Sequence, residues 1–128
     1  MSKKAFQGPL AYELARRGEK DLKFTGTMLA EVSEKRGMFE ERSARIYRTV
    51  GGSYVAELVE RSGIGADESL MGRAAQCADA DGILEYFTVV PDPKKPGRRE
   101  LLDVGKAALA KAGAVDESLR DTHVETID

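Results

Sequence analysis

The chain holds one cysteine, Cys77, and one histidine, His123, and these two side chains bound the chemistry it can perform alone. A nucleophile–histidine–carboxylate triad needs an imidazole held beside the attacking group, and a structural zinc site needs several thiolate or imidazole ligands. His123 stands by itself near an acidic terminus and serves neither. Cys77 lies in an alanine-rich stretch with Arg73 four residues before it. On a helix that spacing would bring a guanidinium to the thiol and lower its pKa; the plainer reading is a small apolar filler. One cysteine cannot form an internal disulfide, which fits a reducing cytoplasm.

Other motifs fall short of known chemistry. Gly63-Ile64-Gly65 suggests a phosphate loop, yet no glycine-lysine-serine/threonine triplet follows it and no parallel βαβ unit surrounds it. Asp79-Ala80-Asp81-Gly82 is a short echo of a calcium loop, but position 90 is valine where the distal glutamate belongs. Capping and turn formation account for both aspartates. Glu40 and Glu41 are adjacent, so a strand would turn them to opposite sides and prevent them from acting as a carboxylate pair.

Binding is better represented. Arg45, Tyr47 and Arg48 sit on a candidate hairpin, and Lys94, Lys95, Arg98 and Arg99 crowd into a proline-rich loop. A two-stranded ribbon can enter a major groove, and a basic loop can grip phosphates or an acidic partner. Against this, lysine plus arginine total 20 against 22 acids, a formal charge of -2, so no global field draws in a polyanion. Glu40, Glu41 and Glu57 dilute the hairpin's positive charge, and Arg45 with Glu57 reads as a cross-strand ion pair.

The elements that would position these residues start from Ser43–Thr49 and Ser53–Val59, two β-rich runs hinged on Val50-Gly51-Gly52. Paired glycines supply the positive φ of a tight reversal. A three-residue loop places Thr49 opposite Ser53, Tyr47 opposite Val55, Arg45 opposite Glu57, Ile46 opposite Ala56 and Ala44 opposite Leu58. Neighbours then share polarity; a one-residue slip would turn Ile46 and Leu58 outward. Residues 23–33 read as a preceding antiparallel strand in which Gly26 marks a bulge or the close approach of another backbone.

Elsewhere, Gly8-Pro9 predicts a short helix to Arg17 that stops at Gly18. Asp67 predicts an N-cap for a helix to Ala80, with Leu70, Met71, Ala74, Ala75 and Ala78 on one face. Ile83–Val90, the most apolar run, predicts a buried central strand. A last helix is expected from residue 97 or 98 to Ala112, with Gly105 marking a helix contact, and residues 122–128 form an acidic tail or edge strand. A lysine start without an apolar run after it predicts neither a signal peptide nor a membrane span.

Phe24-x-Gly26, Tyr47–Val55 and Glu60-Arg61-Ser62, with the closing Glu125-Thr126-Ile127-Asp128, resemble the EXLDI proteins, a small bacterial family. The resemblance implies a bacterial protein of uncharacterised activity and supplies no catalytic residues.

The expected fold class is α+β, an antiparallel β-meander of three to four strands with two main helices packed on one face. Residues 1–22 form an N-terminal arm with a short helix, 23–113 a single domain and 114–128 an acidic tail. The expected function is that of a small non-catalytic bacterial binding or regulatory protein, cytoplasmic, acting through protein–protein interaction or as a homodimer. The alternative is a nucleic-acid-associated regulator using the basic hairpin and loop. No catalytic residue, metal or cofactor is assigned; the candidate binding residues are Arg45, Tyr47, Arg48, Lys94, Lys95, Arg98 and Arg99.

Overall fold

Alternation of apolar and polar side chains governs the first sixty described residues, and the outcome is a sheet larger than expected. The computed structural model describes residues 9–63 and 69–119. Five strands cross one antiparallel sheet in chain order: β1 (Leu10–Arg16), β2 (Glu19–Lys35), β3 (Glu40–Thr49), β4 (Tyr54–Ser62) and β5 (Ser69–Cys77). Helix α1 (Ala80–Tyr86), a small ribbon of β6 (Thr88–Val89) and β7 (Glu100–Leu101), helix α2 (Asp103–Gly113) and a 3₁₀ turn at Glu117–Leu119 follow. The fold is therefore α+β, with five meander strands instead of three or four.

The β3–β4 hairpin has the expected three-residue loop and register. Tyr47 faces Val55, Arg45 faces Glu57, Ile46 faces Ala56 and Ala44 faces Leu58, and the Thr49 N–H donates to the Ser53 carbonyl at 2.9 Å. Gly52, at φ +97°, provides the reversal. The period of two sends Ala44, Ile46, Tyr54, Ala56 and Leu58 to one face, where α1 and α2 cover them through Ile83, Phe87, Val104, Ala108, Leu109 and Ala112. Tyr47 and Val55 go to the other face, where they join Leu14 and Ala74, flanked by Tyr12, Leu22 and Phe24.

That second face is covered by the sheet itself. β2 shifts register between Met28 and Ala30, and at Gly26 a Cβ would collide with the Arg48 carbonyl. Such features bend a strand, and β1 curls over to meet β5. The Arg17 N–H donates to the Gly72 carbonyl at 3.0 Å. A side chain at Gly72 would press on the Ala15 carbonyl.

Four expectations need correction. Residues 10–16 form strand β1 and not a helix, because Tyr12 and Leu14 alternate inward against Phe24 and Leu22; Gly18 keeps its positive φ of 77° but ends a strand. Residues 69–77, expected to be helical, form β5, because pairing along the whole of β4 outweighs the helix propensity of Ala74 and Ala75. Ile83–Val90 is not a central strand. Asp79 caps a helix by accepting from the Gly82 N–H at 2.9 Å, and Ile83 and Phe87, four apart, bury one helical face. The last helix begins at Asp103, since Glu100 and Leu101 pair with Val89 and Thr88, and it ends at Gly113. Gly105 does mark a contact: a Cβ there would overlap the Phe87 ring. Asp67 and residues 122–128 lie outside the described residues.

Candidate functional site

The hairpin's cations are turned inward to carboxylates. Arg45 Nε donates to Glu31 at 2.7 Å and Nη1 to Glu57 at 3.3 Å. Glu57 is 5% exposed, and its Oε1 also accepts from the Tyr47 hydroxyl at 2.7 Å. Burying a carboxylate is costly unless charge and hydrogen bonds compensate it, and Arg45 and Tyr47 provide that compensation from the neighbouring strand. Tyr47 is 2% exposed, with its ring against Tyr12 and Phe24 at centroid distances of 4.8 and 5.2 Å. Burial, then the Glu57 contact, pushes its phenol above the ordinary range. Its ring has no free face on which a base could stack.

Arg48 points to the opposite, helix-bearing face. It donates to Asp116 at 2.6 Å and lies over the Tyr54 ring, 5.3 Å from its centroid. Asp116, 8% exposed, also accepts from the Tyr54 hydroxyl at 3.1 Å and from the Ser118 N–H at 3.0 Å, and Tyr54 and Ser118 hydroxyls touch. Burial pushes the Asp116 carboxyl up, but bonds from the Ser118 hydroxyl, Arg48, the Ser118 N–H and Tyr54 outweigh it and bring the pKa down to about 2. The start of the expected tail is therefore latched to the hairpin, and Leu119 is buried in the core. The sequence signals only that Asp116-Glu117-Ser118 starts a helical turn; its partner 68 residues away has no local signature.

The basic loop spans residues 90–99 between β6 and β7. Asp92 Oδ1 accepts from the Lys94 N–H at 2.9 Å, the Lys95 N–H donates to the Asp92 carbonyl at 2.9 Å, and the Arg98 N–H donates to the Lys95 carbonyl at 3.0 Å. Two turns thus follow one another between Pro91, Pro93 and Pro96. Arg99 pairs with Glu85. Among the described residues no carboxylate lies within ion-pair distance of Lys94, Lys95 or Arg98, all exposed. The seven nominated residues therefore divide into three that brace the sheet, one that ties the loop to α1, and three presented outward.

One surface depends on a strand that sequence reasoning missed. β1 pairs with β2 only as far as Gly26, while β2 continues for nine more residues to Lys35. Along 27–35, β3 occupies one edge, and among the described residues no strand occupies the other. From α2, Lys111 reaches this edge, donating to the Glu31 carbonyl at 3.1 Å. Met28 is exposed there, with Glu31, Ser33 and Lys35.

Cys77 and Arg73 do not meet as the helical spacing suggested. Four residues along a strand span roughly 13 Å, and Arg73 instead sits over the Tyr86 ring, 5.8 Å from its centroid. Burial pushes the thiol's pKa up, leaving a poor nucleophile. Among the described residues no group of three or more histidine, cysteine or acidic side chains is placed to hold a metal, and no helix is long and apolar enough to cross a membrane. Comparison with family models, curated proteins and solved structures finds no match.

Proposed function

We propose that this is a small non-catalytic binding protein that acts through protein–protein interaction, with a second copy of the chain adding a strand along residues 27–35 of β2. The observation that carries this reading is the nine-residue edge. Unpaired backbone N–H and C=O groups in such a row are a template for strand addition, and a two-fold axis across the edge satisfies both copies at once. Among the described residues Lys111 covers one carbonyl of the row and no strand pairs with the rest. The non-catalytic part is supported by the engagement of the buried carboxylates, Glu57 with Arg45 and Tyr47 and Asp116 with Arg48 and Tyr54. A reducing bacterial cytoplasm suits the single buried thiol and the EXLDI resemblance.

Sedimentation equilibrium tests the proposal. A dimer should accumulate with concentration, and Ser33→Lys, which places another cation beside Lys35 on the edge, should shift it towards monomer. Ser33 is exposed and loses only a hydroxyl contact to Ser43, so the variant should melt within about 1 kcal/mol of the parent. A parent that remains monomeric at high micromolar concentration would remove the proposal.

A further inference from the structure

We infer that the 90–99 loop is a second, separate binding surface, one that takes the phosphate backbone of a nucleic acid without reading its sequence. The loop gathers three unpaired cations within five residues, whereas the other exposed cations without an ion pair among the described residues, such as Lys20, Lys23, Lys35, Arg36 and Lys106, are spread along β2, the β2–β3 turn and α2. Arg16, Arg42, Arg45, Arg48, Arg61 and Arg99 each have a carboxylate within 4 Å. Among the described residues Lys94, Lys95 and Arg98 have none, although acids are in excess over the whole chain. The Asp92 carboxylate, at the foot of the loop, accepts from the Lys94 N–H, and Glu85 is engaged with Arg99.

The backbone that carries these cations is fixed in advance. Three prolines restrict φ and two consecutive turns are closed by main-chain bonds, so little conformational entropy remains to be lost when a ligand is gripped. Ten residues are also more than a β-ribbon needs, since two to five suffice, and long loops on rigid scaffolds commonly carry binding groups. Arg98 and Arg99 flank a cleft of about 390 Å³ with Pro91, Asp92 and Glu100.

The chemistry favours phosphates over an acidic protein. A protein interface is anchored by buried aromatic or aliphatic side chains within a polar rim, and Lys94-Lys95-Pro96-Gly97-Arg98-Arg99 contains no aromatic residue and no aliphatic anchor. It contains no asparagine or glutamine to read an adenine edge either, and its single unpaired guanidinium can meet at most one guanine bidentately. What remains is point charge and one guanidinium fork free to take phosphate oxygens.

The test is retention of a short labelled DNA duplex of arbitrary sequence by the full chain as salt is raised. With three to four phosphates neutralised, affinity should fall about 40- to 150-fold between about 50 and about 200 mM salt, and a duplex of unrelated sequence should behave alike. The triple variant Lys94→Gln, Lys95→Gln, Arg98→Gln should lose binding at least tenfold, on the order of what counterion release from three phosphates implies. These side chains are exposed, and an unchanged melting curve will show that the variant folds. No retention at the lowest salt, or a variant with the parent's salt slope, would overturn the inference. So would a polyglutamate peptide that displaces the duplex at equal charge, because the loop would then be a site for an acidic protein.

Discussion

Asp116 shows how far a single side chain can reach in this molecule. It collects Arg48 and Tyr54 from the hairpin and Ser118 from the closing turn, and its carboxyl is held near 2 against an ordinary 3.8. A depressed folded-state pKa contributes stability that is complete above the unfolded value and fades as pH falls through the folded one. Asp116→Asn should therefore melt earlier than the parent at neutral pH, by about 1–2 kcal/mol given that Arg48 is partly solvated. The two should converge as pH drops from about 4 to about 2, and a thermal melting series over that window checks it. A constant gap across the window would show that the charge is irrelevant. Residue-scale legibility followed distance. The Arg45–Glu57 pair could be read from the hairpin register, whereas Tyr47's diagonal bond to Glu57 and Arg48's bond to Asp116 needed the packed structure.

At the scale of elements, the hairpin was legible because turn and alternation agree: two glycines, then matched polarities on facing strands. Gly26 and Gly105 were legible for the same kind of reason, each standing where another group needs the space of a side chain. β5 was not, because Leu70, Met71, Ala74, Ala75 and Ala78 happen to share a helical face while the partner that makes 69–77 a strand lies in β4. The apolar run at 83–90 failed in the opposite direction, for β-branched content suggested a strand although Asp79 had placed a cap before it. Asp79→Ala tests that cap. Removing the side-chain acceptor for the Gly82 N–H should cost about 1 kcal/mol, read as a lower midpoint in urea with an unchanged slope, while Asp81→Ala, whose exposed carboxylate only favours the helix's first turn, should cost less.

For the whole molecule, correcting 10–16 from helix to strand changes more than a strand count. With β1 in the sheet, the meander curls until its first and last strands touch, so the β5 edge is guarded, while among the described residues the second half of β2 pairs with one strand. The arginines nominated on the hairpin are tied to buried carboxylates, and three unpaired cations stand together on the 90–99 loop. Both proposals follow from that layout: an edge for a second copy of the chain and a basic knuckle for phosphates. The edge is the central claim, and hydrogen exchange followed by mass spectrometry tests it most directly, because added strand pairing must protect the amides that receive it. The outward amides of residues 27–35 should exchange rapidly at low micromolar concentration and become progressively protected as concentration rises, while those of β4, already paired on both sides, stay unchanged. Exchange across 27–35 that is independent of concentration would contradict the account.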